Sequence, residues 1–160
     1  MGKSKVYIES STISYLTAWP SRDIVVNAKQ KLTHDWWTQR NRFEMFISET
    51  VIEEIEEGDP QAAEARLRIV VGIPILQVNE SVKSLARTLL QTGAIPPKSE
   101  ADAVHIACAT MYEMDFLITW NQKHIATDAR RHLIEAAVSD SGFLLPRLLT
   151  PEQHLLTMEY

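Results

Sequence analysis

The chain of 160 residues has a single cysteine, Cys108, so no internal disulfide can form. It opens without the charged-then-apolar stretch of a secretory signal, and together with the lone cysteine this predicts a cytoplasmic protein. No apolar run reaches the roughly 18 to 20 residues that a membrane span requires, so no membrane partner is expected. With only five glycines, no internal repeat and no low-complexity segment, fibrous and solenoid architectures are excluded. Basic residues are not in excess either. A formal net charge of −5 excludes broad, phosphate-neutralising nucleic-acid binding, which depends on many Lys and Arg contacts.

What is present is an ordinary globular composition, 45% hydrophobic and 23% charged, in a length that suits one domain over residues 1–160 with a core of its own. The charge is segregated. Residues 20–42 carry Arg22, Lys29, Lys31, Arg40 and Arg42 against Asp23 and Asp35, whereas residues 44–64 carry Glu44, Glu49, Glu53, Glu54, Glu56, Glu57, Asp59 and Glu64 with no Lys or Arg. For any one of these residues the simplest reading is a solvated helix face.

Strand and helix patterns alternate along the chain. K-V-Y-I-E reads as a strand ending near Glu9. Ile24, Ala28, Leu32 and Trp36 then recur at helical spacing within residues 22–42, and F-E-M-F-I-S returns to a strand-like pattern. T-V-I-E-E-I-E-E runs to a helix stop at Gly58, and D-P-Q-A-A-E places Pro60 at the first position of the next helix. I-P-I-L-Q-V is a third strand. Val82, Leu85, Ala86, Leu89 and Leu90 mark a helix ending before Gly93. A small-residue helix, A-D-A-V-H-I-A-C-A-T-M, leads into the apolar strand F-L-I-T, and a helix over 127–138 precedes F-L-L-P-R-L-L, which Pro146 confines to a sheet edge. T-P-E-Q opens a last short helix. This order predicts a mainly parallel sheet with helices on both faces. In such sheets, sites lie beyond the carboxyl ends of the strands.

Glu9 stands at one such end. Comparable places hold Glu53 or Glu54 after the second strand, Asp102 in the first turn of its helix, and Asn121 after F-L-I-T-W. Each has a purely structural explanation. Glu9 would be an exposed strand terminus, S-E-A-D is a capping box for Asp102, Thr50 gives Glu53 the same role, and Asn121 can cap the turn that follows it. Taken together, gathered carboxylates repel one another unless a divalent cation neutralises them. Oxygen donors without a His or Cys cluster point to Mg²⁺ or Mn²⁺ rather than zinc.

Four segments, V-Y-I-E-S-S-T-I-S-Y-L, I-S-E-T-V-I-E-E-I-E-E-G-D-P, A-D-A-V-H-I-A and F-L-I-T-W-N-Q-K-H-I, resemble the PIN domain family, and within it the VapC-type toxins of bacterial type II toxin–antitoxin pairs. The last two, one helix length apart, are the most specific. The resemblance spans nearly the whole chain and implies a three-layer α/β/α sandwich, acids around Mg²⁺ or Mn²⁺, and cleavage of RNA to 5′-phosphate and 3′-hydroxyl ends. It implies Glu9, Glu54, Asp102 and Asn121 as catalytic positions, the first three as metal ligands. Aligning Ser48 with the family serine selects Glu54, with Glu53 as the fallback.

Two departures stand out. The usual first aspartate is Glu9, one methylene longer, and the usual fourth acid is Asn121, which can offer a carbonyl oxygen but no charge. Lys123 and His124 are placed to meet the substrate backbone, with Arg22, Lys29 and Lys31 as a remoter basic patch. Thr119 and Ser10 could hold ligands or waters, and His105, on nearly the same helix face as Asp102, reads as packing or support for the site. Trp36-Trp37 implies one buried ring and one partly exposed, or an interface anchor. The partners implied are an RNA substrate, a cognate antitoxin and a second copy of the chain. Two other readings stand beside the nuclease: a PIN-like module that binds RNA or a peptide without cleaving, and a Mg²⁺-dependent phosphatase, which lacks the expected pair of closely spaced aspartates on its first strand.

Overall fold

A computed structural model describes residues 2–158. The first strand, β1 (Lys5–Ile8), is followed by helix α1 (Ser10–Thr17), which begins directly after it. Helix α2 (Ile24–Trp37) and a 3₁₀ turn (Arg40–Arg42) lead to β2 (Glu44–Ser48). The helical pattern read over 22–42 thus breaks after Trp37. Helices α3 (Glu49–Ile55) and α4 (Pro60–Ile69), strand β3 (Ile75–Leu76) and helix α5 (Glu80–Gln91) follow. The second half comprises α6 (Glu100–Met111), β4 (Phe116–Ile118), α7 (Asp128–Asp140), β5 (Arg147–Leu149) and α8 (Pro151–Met158).

The strands form one sheet in the order β3-β2-β1-β4-β5, and every pairing is parallel. Val6, Tyr7 and Ile8 of the central strand are fully buried. A strand covered on both faces shows an unbroken apolar run instead of alternation, and V-Y-I does so. Helix α5 packs on α6 and α7, and α2 packs on α1 and α8, which gives the three-layer α/β/α sandwich. Edge strand β5 begins immediately after Pro146, as a residue without a backbone N–H requires.

Local chemistry sets the helix ends. Ser48 is the N-cap of α3, its hydroxyl accepting from the Val51 amide; Thr50 does not cap. Gly58 and Gly93 take positive φ, +85° and +78°, just beyond α3 and α5, where a Cβ would be strained. At α8, Gln153 Oε1 accepts from the Thr150 amide at 2.9 Å and Thr150 Oγ1 accepts from the Gln153 amide at 3.2 Å. That is the reciprocal capping box T-P-E-Q calls for. Among the described residues no helix is long and apolar enough to cross a membrane.

From β1 the chain moves outward through β2 to β3, then returns to the other side of β1 with β4. The order therefore reverses between β1 and β4. At such a switch point the loops leaving the two strands diverge and open a crevice at their carboxyl ends.

Candidate active site

Glu9 follows β1 at this crevice, and its amide still pairs with the Ile118 carbonyl of β4 at 3.1 Å. It is 5% exposed, so it is not the exposed strand terminus it could have been. It is the N-cap residue of α1, and its carboxylate collects donors from both sides of the switch point. Oε1 accepts from the Ser11 amide at 3.1 Å, the Ser11 hydroxyl at 2.5 Å and the Thr119 hydroxyl at 2.5 Å, and Oε2 accepts from Ser10 Oγ at 2.8 Å. Ser11 and Thr119 are fixed in turn, since each accepts a backbone N–H from the loop after β4, Trp120 onto Ser11 and Asn121 onto Thr119. A helix N-terminus favours negative charge, so the carboxylate is both oriented and stabilised.

Glu54 reaches the same point from α3. Of the acids in the run over 44–64 it alone is not solvent-exposed. Its Oε1 lies 3.0 Å from Ser10 Oγ, so one hydroxyl, with one proton to give, stands between two carboxylates. Glu53, one position earlier and about 100° around the helix, turns away and lines a groove with Lys83, Arg87 and Val104.

His105 closes the group. It is fully buried in α6, with Nε2 2.6 Å from Glu54 Oε1 and 4.0 Å from Glu9 Oε2. Nδ1 lies 2.6 Å from the Tyr7 hydroxyl, which lies 2.7 Å from Ser48 Oγ. Burial by itself would lower the His105 pKa, but the hydrogen bond to Glu54 and the charges of Glu9, Glu54 and Asp102 outweigh it and hold the ring above its ordinary value. Burial would likewise raise the Glu54 carboxyl, yet the hydrogen bond and charge of His105, with the bond from Ser10, hold it below its ordinary value. Burial keeps the Tyr7 phenol well above its own, so it stays protonated.

Asp102 stands beside this group, one helical turn before His105. Its Oδ1 accepts from Asn121 Nδ2 at 3.0 Å and its Oδ2 from His124 Nδ1 at 2.8 Å. The S-E-A-D capping box does not form, because Ser99 makes no side-chain cap and instead lies 3.2 Å from His124 Nδ1. Asn121 caps the turn that follows it, as its position allowed. Its carbonyl oxygen accepts from the His124 amide, so the side chain turns its N–H₂ toward Asp102 and does not offer the oxygen there.

Lys123 is exposed, without an ion-pair partner among the described residues, whereas the Nδ1 of His124 is committed to Asp102. Lys29 is less remote than its number implies, because its ammonium lies 5.4 Å from the ring centre of Trp120 in the loop carrying Asn121. Arg22 and Lys31 remain on the outer surface. Trp36 is fully buried and Trp37 half-buried under the Arg40 guanidinium.

Sequence reasoning gave His105 a supporting place and missed the Tyr7–Ser48 connection. A tyrosine inside an apolar central strand was the available signal, since a buried phenol needs a partner. As a donor set, two carboxylates and an imidazole whose ligand atoms lie within 4.8 Å of one another fit a divalent cation.

Comparison with solved structures places the fold in a known frame. A chain of VapBC2 from Rickettsia felis, solved bound to a DNA fragment from its promoter, matches 91% of this chain and 98% of its own length, with a TM-score of 0.57 and 13% identity. VapC20 of Mycobacterium tuberculosis, a toxin that cleaves the sarcin–ricin loop, matches 88% and 99%, with a TM-score of 0.57 and 15% identity. The chain has the PIN-like fold of VapC proteins. At this level of identity the likeness fixes the fold and not the chemistry. No protein-family model and no curated protein matches the sequence. Within the PIN-like fold, the acids described above occupy the C-terminal edge of the sheet.

Proposed function

We propose that the chain is a single-domain, metal-dependent endoribonuclease acting as the toxin of a type II toxin–antitoxin pair. The observation that carries this is the convergence of Glu9 and Glu54, two acids 45 positions apart, on the one Ser10 hydroxyl at the switch point of a VapC-like sheet. Glu9, Glu54 and Asp102 would hold Mg²⁺ or Mn²⁺, directly or through waters. Bound there, the ion supplies charge that polarises a phosphodiester, promotes hydroxide formation from water and stabilises the leaving oxygen.

The residues themselves do the positioning. Ser10, Ser11 and Thr119 fix the Glu9 carboxylate, so no rotamer search precedes binding. Asn121 and His124 orient Asp102 from opposite sides. Lys123 and the second nitrogen of His124 would meet the phosphates flanking the scissile bond, and Lys29 beside Trp120 extends this positive rim. A cognate antitoxin and a second copy of the chain are the protein partners this reading implies.

One observation favours the non-cleaving alternative. Glu54 is already bonded to His105, and Asp102 to Asn121 and His124, so the acids are satisfied without a metal. Incubating a mixed RNA pool with purified protein and Mn²⁺ or Mg²⁺ separates the two. Cleavage abolished by EDTA and reduced at least about 100-fold in Asp102→Asn and Glu54→Gln, but within about threefold of wild type in Glu53→Gln, is the expected outcome. Intact RNA in every sample from folded, antitoxin-free protein would instead support the binding module.

A further inference from the structure

We propose that His105 is a metal ligand of this site, so that the cation lies between Glu9, Glu54 and the His105 imidazole and Mn²⁺ is bound in preference to Mg²⁺. This deepens the metal-dependent reading above and rests on it. Two observations of the ring's surroundings carry the ligand role, and donor chemistry carries the ion preference.

The first is distance. Around a six-coordinate ion with bonds of about 2.1 Å, adjacent ligand atoms stand about 3 Å apart and opposed ones about 4.2 Å. His105 Nε2 lies 2.6 Å from Glu54 Oε1 and 4.0 Å from Glu9 Oε2. Opening the Nε2–Glu54 pair by a few tenths of an ångström brings these atoms into the ligand range. As a ligand, Nε2 would present its lone pair and carry no proton.

The second is the far side of the ring. An imidazole that gives Nε2 to a metal carries its proton on Nδ1 and needs an acceptor there, and the partner that fixes this tautomer is a regular feature of metal-bound histidines. Here the Tyr7 oxygen lies 2.6 Å from Nδ1 and can pass its own proton to Ser48 Oγ at 2.7 Å. His105, Tyr7 and Ser48 are all fully buried, so the ring cannot turn away.

The ion preference follows from donor chemistry. Mg²⁺ takes oxygen ligands and gives up its waters reluctantly, whereas an imidazole nitrogen suits Mn²⁺ and the later divalent ions better. Adding a nitrogen to a set of carboxylate donors therefore shifts the preference toward Mn²⁺.

Mn²⁺ bound to the full-length protein provides the test, read by electron spin echo spectroscopy, in which a directly coordinated imidazole gives a ¹⁴N modulation. Wild type and His124→Gln should both show it, and His105→Gln should lose it together with at least about tenfold in Mn²⁺ affinity. Tyr7→Phe should keep the modulation but weaken Mn²⁺ by about tenfold. Competition with Mg²⁺ in wild type should show Mn²⁺ at least about tenfold tighter. Mn²⁺ bound to wild type without ¹⁴N coupling, or the modulation lost in His124→Gln, would overturn the ligand role while leaving the metal-dependent reading intact. That spectrum decides even where His105→Gln does not fold. Failure of wild type to bind Mn²⁺ at all would overturn both.

Discussion

Two histidines, His105 and His154, are each no more than 1% exposed, yet they sit at opposite edges of one sheet and carry opposite charge preferences. His105 lies beyond the C-terminal ends of the strands, where the charges and hydrogen bonds of Glu54 and Glu9 raise its pKa against the effect of burial. His154 of α8 lies at the N-terminal edge among Phe116, Phe43 and Trp36, with ring centres 4.6, 5.1 and 6.4 Å away. Burial and the nearby Arg147 charge lower it to about 4. Burial alone thus decides nothing; the partners do. The edge that gathers acids favours the charged form of its ring, and the edge packed with aromatics favours the neutral form.

Removing the imidazole at the acidic edge should break the contrast most severely. In His105→Leu, Glu54 loses its shorter hydrogen bond and Tyr7 loses one of its two bonds. Deleting one member of a buried pair costs about 3–5 kcal/mol, so a loss of about 3 kcal/mol is expected at pH 7 in metal-free protein, given that the Glu54 side chain is 31% exposed. Urea unfolding measures it. A loss below about 1 kcal/mol would mean that the ring is neutral and only packs there.

Acid should act on the opposite edge, with a similar or slightly smaller effect. His154 Nδ1 accepts from Trp36 Nε1–H at 2.9 Å, which a protonated ring cannot do. Its folded pKa lies below the unfolded value of about 6.5, so its contribution is complete above pH 6.5 and is lost as pH falls toward about 4. A difference of about 2.5 units corresponds to about 3 kcal/mol. His105 has the reverse sign. With its folded pKa raised, its contribution is complete below about pH 6.5 and disappears as pH climbs through the folded value. Glu54, lowered on folding, also loses its contribution in acid, so a control is needed. His154→Asn supplies one, because its amide oxygen can still accept from Trp36 but cannot charge. The stability lost between pH 7 and pH 4.5 should shrink by about 2 kcal/mol in that variant, and equal losses in both proteins would show that His154 is not held neutral.

The sequence disclosed the two edges unequally. Continuous apolar strands such as V-Y-I and F-L-I declared a covered parallel sheet, and Thr150 with Gln153 declared the start of α8, because these signals are local and nothing distant competes for the same atoms. The candidate site was legible as a list of acids but not as a geometry. S-E-A-D looked like a cap, yet Ser99 and Asp102 spend their oxygens on His124 and Asn121, more than 18 positions away. The acidic run gave no reason of its own to prefer Glu54 over Glu53; Ser48 did, first by alignment and then as the residue on which α3 begins. The role of His105 depended on Tyr7, Glu9 and Glu54, which only the assembled sheet brings to it. The T-W-N segment marked Asn121 correctly as a feature of this edge, but which end of its amide faces Asp102 is fixed by the His124 backbone.

The smallest expected effect sharpens the contrast by asking how far the acidic edge extends into the fold. Among the described residues the His154 ring has one hydrogen-bond partner, Trp36, whereas His105 is connected through Tyr7 to Ser48, the residue that starts α3 and so positions Glu54. Ser48→Ala removes both the cap on the Val51 amide and the partner of the phenol. A lost cap costs about 1 kcal/mol, and the lost Tyr7 bond should add about another 0.5–1 kcal/mol. In a Tyr7→Phe background only the cap is left to lose. A double-mutant cycle should therefore give a coupling of about 0.5–1 kcal/mol between Ser48 and Tyr7. Zero coupling would confine Ser48 to capping and end the chain of support for Glu54 at His105. The expected value would mean that one continuous line of hydrogen bonds both starts the helix that carries Glu54 and holds the ring that meets its carboxylate.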